Sequence, residues 1–420
     1  MPATGLPPRQ VTLLLCDGHG TLIGTLPAFE VELPWWQEVA DVVSGADRLH
    51  GLDVTVLRLL TTEPSARSAG GPVTYLAEVA SPPPSLDLAP WTGPEPLAEQ
   101  PLRLPFAKPG GPAADLAWAD AALAAAGRER TGPAVQGRTW NLSSIWQLPT
   151  AEGTAWLKVV PPFFAHEGAM LERLDPAVVP PLIAAEGPRI LLAHVAGEDH
   201  WGAELPVLRR VVELLVGLQS TWFDRVGELE EVGAPDWRAN TLGPAAERLL
   251  SRDTETLADD VVARLRALVD GLPQRFADVA ECGLPDTLVH GDFHPGNTRG
   301  SAEDDGHSVL LDWGDCGIGN PLLDQAATLA SIREEQRVPL GEHWAGLWRA
   351  AVPGSDPDRA AALLAPVAAL RQADLPGVPR QHRAGRAGLP RGRPGPLDGP
   401  GRRARGRLGR EVTLSRCRRG

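Results

Sequence analysis

Two short apolar runs that each break into a loop crowded with acids and glycines constrain this chain more than any other feature. The first is "LVHGDFHPGNTRG" at residues 288–300, and the second is "VLLDWGDCGIGNPLLDQA" at residues 309–326. Gly291 and Gly296 allow the first loop to turn tightly enough to aim Asp292 and Asn297 at one point. Asp312 follows Asn297 by fifteen residues. A fold that sets the two loops side by side therefore gathers three oxygen-bearing side chains.

The spacing of Asp292 and Asn297 is D-x-x-x-x-N, that of a phosphoryl-transfer loop in which the Asp accepts a hydroxyl proton and the Asn binds Mg²⁺. Asp312-Trp313-Gly314 stands where an Asp-Phe-Gly-like metal ligand should fall, with Trp in place of Phe. Hard oxygen ligands on neighbouring loops suit Mg²⁺, which keeps waters and bridges phosphates. Upstream, Lys158 lies in the strand pattern "AWLKVV", and Glu167 opens a helix pattern after a tight "PPFF" turn. A strand Lys paired with a helix Glu positions nucleotide phosphates, although His166 or Glu172 would serve if the helix register differs. Of 40 basic residues only Lys108 and Lys158 are Lys. Where Arg covers nearly every positive charge, a retained compact ammonium is informative.

Together these blocks resemble the aminoglycoside phosphotransferase and choline kinase-like family of small-molecule kinases. The matching residues are "LVHGDFHPGN" at 288–297, "LLDWGDCGIGNPLLD" at 310–324 and "WLKVV" with Glu167, within roughly residues 130–365. The resemblance implies an α+β, protein-kinase-like bilobal fold. It makes Asp292 the catalytic base, Asn297 and Asp312 Mg²⁺ ligands, and Lys158 with Glu167 part of an ATP site. His290 becomes a structural brace of the loop, Asp324 a cap or anchor of the following helix, and residues 192–195 a hinge whose backbone meets adenine. No G-x-G-x-x-G precedes Lys158; "RTWNLSSIW" occupies that place, so Asn141, Ser143 and Ser144 are the candidates for phosphate contact. His290 and His294 could pair on zinc only along a helix, against which Pro295 and Gly296 argue.

The rest of the chain divides around this unit. Residues 1–100 alternate "VTLLLCD", "TLIGTLPAFEVEL", the amphipathic helix pattern "WWQEVADVVSGADRLHG", "LDVTVLRLL" and "VTYLAEVA". This reads as a small α/β accessory domain whose element order faintly resembles a Nudix fold without its Glu-rich helix. Residues 101–130 form a helical linker with the Ala-rich "AADLAWADAALAAAG". A strand-rich lobe at 131–196 precedes a helical lobe at 197–370.

Net charge is −13, but residues 371–420 hold 14 Arg against Asp374, Asp398 and Glu411, a tail of +11 that leaves the first 370 residues at −24. So acidic a body would repel nucleic acid and anionic membrane, and would draw in a cationic acceptor if the excess lies near a cleft. Cys16, Cys282, Cys316 and Cys417 show no metal or disulfide spacing, and no apolar run is long enough for a bilayer. A cytoplasmic enzyme is expected, transferring the γ-phosphate of ATP to a hydroxyl of a small molecule.

The tail lacks the apolar periodicity to bury a core and is expected to be disordered or the product of a frameshift. Ala-Asp-Leu-Pro-Gly at 373–377 can be encoded GCG-GAT-CTA-CCA-GGG, which in a shifted frame contains Ile-Tyr-Gln and would extend the helix pattern "AALLAPVAALRQA". An altered C-terminus makes a nucleotide-binding, non-catalytic protein the alternative reading. Resequencing the locus should reveal an insertion or deletion near codon 374; an intact frame there removes the frameshift hypothesis.

Overall fold

The structure is a computed structural model of the chain and describes residues 6–63, 69–80, 86–252, 259–301 and 307–373. The expected tail, with Cys417, lies outside the described residues from 374 onward.

The amino-terminal unit is built on five strands, β1 (Arg9–Cys16), β2 (Leu22–Thr25), β3 (Phe29–Val31), β4 (Val54–Thr62) and β5 (Gly71–Val79), with one helix, α1 (Ala40–His50). The sheet order is β2-β1-β5-β4, with β3 also paired to β1. β1 and β5 run parallel and the remaining pairs antiparallel. The unbroken apolar run of β1 follows from burial on both faces. Val11, Leu13 and Leu15 join one core with Phe29, Val42 and Tyr75, and Leu14 and Cys16 join another with Leu57 and Leu76.

The helix expected from Trp35 begins only at Ala40. Residues 35–39 are diverted into pairing: Trp35 bridges Ala69, Val39 N donates to Gly137 O at 3.0 Å, and Thr139 N donates to Gln37 O at 3.0 Å. This segment thus covers the outer edge of the next sheet. That sheet contains β6 (Val135–Thr139), β7 (Ser144–Thr150), β8 (Gly153–Val159), β9 (Leu182–Glu186) and β10 (Arg189–Ala193), in the order β6-β7-β8-β10-β9. The helix spanning the Ala-rich segment, α2 (Gly111–Ala125), lies against one face of it. Ala119, Leu123 and Phe106 bury there with Trp146, Leu148, Ala155, Leu157, Val159 and Leu191. Asp115 anchors the helix to the strand residue Arg189 at 2.8 Å.

After the short helix α3 (His166–Leu171) and the two-residue β11 (Glu198–Asp199), the chain becomes mainly helical. Helices α4 (Leu205–Ser220), α5 (Val226–Glu231), α6 (Ala239–Arg252), α7 (Asp259–Asp270) and α8 (Leu272–Glu281) come before the polar loops. α9 (Gln325–Ser331), α10 (Glu334–Ala351) and α11 (Pro357–Ala373) come after them. Among the described residues no helix is long and apolar enough to cross a membrane.

Two small antiparallel pairings clamp the loops. β12 (Thr287–Val289) pairs with β15 (Gly317–Gly319), and β13 (Thr298–Gly300) pairs with β14 (Ser308–Leu310). Val289 therefore faces Gly317, and Thr298 faces Leu310. The segments 290–297 and 311–316 leave these pairings side by side, joined further by Leu311 N donating to Asn297 O at 2.7 Å.

The joint between the amino-terminal unit and β6 rests on buried polar contacts. Gln136 of β6 both donates to Val56 O (2.8 Å) and accepts from Val56 N (2.9 Å), and Arg138 is paired with Glu38. Behind Glu38, the fully buried Arg9 donates to Glu38 O, Leu33 O and Tyr75 Oη and pairs with Asp41 at 2.7 Å. A buried guanidinium stripped of its carboxylate is costly. Asp41→Ala should lower stability by about 3 kcal/mol in chemical denaturation; a loss under about 1 kcal/mol would mean that the backbone carbonyls suffice for Arg9.

Candidate active site

Lys158 occupies the middle sheet strand β8, where side chains alternate between faces. Ala155, Leu157 and Val159 turn to the α2 side, so Trp156 and Lys158 share the opposite face. The Lys158 Nζ donates to Glu167 Oε1 at 2.7 Å and to Asp312 Oδ1 at 2.6 Å. Neither His166 nor Glu172 takes this place: Glu172 is exposed, and the buried His166 Nε2 has no partner among the described residues. The "PPFF" turn is a 3₁₀ turn, Pro162–Phe164, after which α3 packs beside β9 and β10 with Glu167 reaching Lys158 on β8. Burial disfavours the ammonium, but the carboxylates of Asp312 and Glu167 outweigh it and raise the Lys158 pKa above its ordinary value.

The two carboxylates are held differently. Glu167 is 1% exposed and also accepts from Trp313 N at 3.2 Å, which ties α3 to the second loop. The Asp312 side chain is 51% exposed. Its backbone φ of 64° is the only positive value at a non-glycine position among the described residues. Such a conformation costs energy for a residue with a Cβ and persists where surrounding contacts impose it.

The first loop is organised by Asp324. This residue, 1% exposed, accepts from His290 N and Gly291 N, both at 2.8 Å, and from Gln219 Nε2 at 3.0 Å. It was expected to cap or anchor the following helix, and it stands at the N-cap position of α9 but without a side-chain capping bond. The loop amides, turned inward by Gly291 at φ 89°, are the donors it satisfies instead. Gly296 has a different reason: a Cβ there would lie 2.1 Å from Trp201 Nε1. Trp201 stacks on His294 with ring centroids 4.9 Å apart.

His290, expected as a structural brace, lies with Nε2 3.0 Å from Leu311 O and its ring against Trp313. A neutral ring then donates through Nε2, leaving Nδ1 as acceptor for Asp292 N at 3.4 Å. Burial lowers its pKa, and nearby Asp324 and Asp312 offset this only in part. Asn297 donates through Nδ2 to Asp292 O at 2.9 Å, with Asp292 Oδ2 at 3.4 Å. Turning its amide nitrogen to Asp292 leaves Oδ1 on the other side. His294 Nε2 lies 3.8 Å from Asp292 Oδ2.

A divalent cation fits this donor set by chemistry: Asn297 offers a neutral oxygen, and Asp312 a half-exposed carboxylate. The turn between β6 and β7 is less accommodating. Ser143 and Ser144 are buried, and their hydroxyls accept from the indoles of Trp140 (2.9 Å) and Trp146 (3.0 Å). Of the three residues expected to contact phosphate, Ser143 and Ser144 are thus buried beside indoles and Asn141 is half-buried.

The expected hinge is also partly committed. Ala193 N donates to Pro181 O at 2.9 Å, His194 N donates to Thr154 O at 3.0 Å, and Val195 O accepts from Arg299 at 2.7 Å. Beside it, Trp156 donates through Nε1 to His194 Nδ1 at 3.1 Å.

Residues 135–363 match the phosphotransferase enzyme family. Among similar solved structures, a macrolide 2'-phosphotransferase type I is 16% identical, covering 66% of this chain and 97% of its own, with a TM-score of 0.46. An aminoglycoside phosphotransferase from Streptomyces rimosus is 20% identical, covering 62% and 97%, with a TM-score of 0.39. A choline kinase from Cryptosporidium parvum is 9% identical, covering 61% and 87%, with a TM-score of 0.42. No curated protein matches the chain in sequence.

His290 gives this site a pH signature. Its folded pKa is depressed, so its contribution to stability is present above the ordinary imidazole value of ~6.5 and is lost as pH falls through the folded pKa. From about pH 7.5 to about pH 5.5, the Tm of the wild type should therefore fall more than that of His290→Gln. Parallel curves would mean that His290 carries no part of the acid sensitivity.

Proposed function

The chain belongs to the phosphotransferase enzyme family, and we propose that it transfers the γ-phosphate of ATP to a hydroxyl of a small-molecule acceptor, using Mg²⁺. The observation that carries this reading is the Lys158 ammonium held at once by Glu167 and Asp312. It joins the strand-rich lobe to the second polar loop at one charged point.

Asp292 is the base in this reading. As the acceptor oxygen bonds to the γ-phosphorus and the bond to the nucleoside diphosphate breaks, the hydroxyl proton passes to its carboxylate. Its backbone carbonyl and side chain receive Asn297, so the base and that neighbour are positioned together. Asn297 and Asp312 would hold Mg²⁺, which when bound neutralises charge on the phosphates. Lys158 orients the phosphates, with Asn141 near them at the β6–β7 turn. Glu167 keeps the ammonium in place throughout, because it is buried and fixed to Trp313 N, whereas half-exposed Asp312 is able to exchange partners.

Catalysis of this kind depends on positioning and charge stabilisation, since the protein forms no covalent bond to the phosphoryl group. The acidic body of −24 over the first 370 residues favours a cationic acceptor such as an amine-bearing alcohol.

Asp292→Ala should reduce turnover by roughly 10²–10⁴-fold while the protein still gains thermal stability from Mg-ATP. Asp312→Ala should instead shrink that stabilisation, because a ligand binding only the folded state stabilises it by RT ln(1 + L/Kd), with L the free ligand concentration, which falls as Kd rises. Wild-type turnover in Asp292→Ala would refute the base assignment, and an unchanged Mg-ATP shift in Asp312→Ala would refute the metal assignment.

A further inference from the structure

The amino-terminal unit lies outside residues 135–363, the stretch that matches the family, yet it enters the same sheet as Lys158. Glu38 bridges Arg138, Arg138 faces Ile145 across β6 and β7, and Ile145 faces Lys158 across β7 and β8. One cross-strand row therefore runs from the amino-terminal unit to the lysine at the centre of the charged cluster. With neighbouring strands roughly 4.8 Å apart, Arg138 stands about 10 Å from Lys158 in that row.

The row is pinned at an irregularity. β6 advances two residues, from Gln136 to Arg138, while β7 advances one, from Trp146 to Ile145, so Gly137 is the extra residue of a bulge. A bulge increases local twist and re-aims the strand after it. Here that strand runs into the turn at residues 140–143, closed by Trp140 N donating to Ser143 O at 3.0 Å. Partners for the bulge come from the amino-terminal unit. Val39 N donates to Gly137 O, and Thr139 N donates to Gln37 O, both at 3.0 Å. Gln136, 2% exposed, meets both backbone groups of Val56. Glu38, 7% exposed, accepts from Arg138 Nε at 2.9 Å, and its carbonyl is held by Arg9 at 2.8 Å. Buried polar contacts of this kind are kept whole or lost together, because each member left unpaired is costly.

We infer that Gln136 and Glu38 are positioning residues for phosphate binding, and that docking of the amino-terminal unit on β6 is thermodynamically coupled to occupation of the phosphate site. The inference rests on the phosphotransferase reading above, which puts the phosphates between Lys158 and the β6–β7 turn, and adds to it a role for residues before 135. With the joint made, the bulge fixes both the turn and the row of Lys158. With it open, β6 is an unpaired edge whose twist is free to relax. Coupling of binding free energies is reciprocal, so a joint that favours phosphate must itself be tightened by phosphate.

The test is calorimetric titration of the full chain with Mg-ATP and Mg-tripolyphosphate, comparing the wild type with Gln136→Leu, Glu38→Ala, Glu38→Gln and Leu76→Val. Tripolyphosphate separates the phosphate contribution from that of the base. Gln136→Leu and Glu38→Ala should weaken both ligands by a similar factor, roughly 5- to 150-fold. Glu38→Gln, which can still accept from Arg138, should keep most of the affinity. Leu76 lies in a core cluster that contains none of the joint residues, so Leu76→Val should bind as the wild type does. In the wild type, saturating Mg-tripolyphosphate should slow hydrogen exchange at the Val39, Val56 and Thr139 amides more than at Leu13 on β1.

Unchanged affinity in folded Gln136→Leu and Glu38→Ala overturns the inference. So does equal weakening in Leu76→Val, because loss of stability alone would then account for the effect. Should the two joint variants fail to fold, exchange in the wild type decides. Selective slowing at the three joint amides supports the coupling, and slowing no greater than at Leu13 overturns it. If the wild type binds neither ligand, the phosphotransferase reading falls and the inference with it. If the wild type binds both and the joint variants match it, only the inference falls.

Discussion

A single ammonium, Lys158 Nζ, ties together parts of the structure distant in sequence. It sits between a buried carboxylate on α3 and a half-exposed one on the loop after β14. In so apolar a place a lone charge is strongly unfavourable, so the three groups are interdependent. The orientation of α3 follows, since Glu167 must reach both Lys158 Nζ and Trp313 N. The αL backbone of Asp312 follows as well, because it directs that carboxylate back towards β8. The difference in burial then decides which bond can yield to an incoming phosphate. Glu167 has no solvent to retreat into, whereas Asp312 does.

The amino-terminal unit acts on the same lobe through its edge. An unpaired edge strand presents backbone donors and acceptors with no protein partner, and β6 would be such an edge. Residues 37–39 satisfy it, while Gln136 crosses to bond both backbone groups of Val56. Because β6 leads directly into the turn containing Asn141, this joint fixes one end of the segment nearest the proposed phosphate position. Arg9 reinforces it from behind, holding the Glu38 carbonyl while the Glu38 side chain engages Arg138.

The parts of the site legible in the sequence are those in which spacing alone constrains geometry. Asp292 and Asn297 are five residues apart in a turn, and Lys158 and Glu167 are joined by a short rigid turn, so local chain geometry brings each pair together. The strands of the amino-terminal unit were equally readable, because apolar runs bounded by turn residues have few alternatives. What escaped reading depends on partners remote in sequence. Asp324 precedes a helix and looks like its cap, yet backbone amides more than thirty residues away compete successfully for its carboxylate. Trp35 to Val39 read as helix because amphipathic composition does not register a sheet edge supplied from a hundred residues further on.

These diversions share a consequence for recognition. Buried polar groups must be satisfied within the fold, and here that requirement takes up two amides of the hinge and the carboxylate of Asp324. Such groups hold the site's shape but have little capacity left for a ligand. In the proposed function, recognition devolves on side chains standing on rigid supports: Lys158 on a strand face, Asn297 and Asp292 on a clamped loop, and Asp312 on a strained turn. A site divided in this way is preorganised by its buried members and adjustable at its exposed ones, so under the proposed function the half-exposed carboxylate of Asp312 is where ligand binding can rearrange it at least cost.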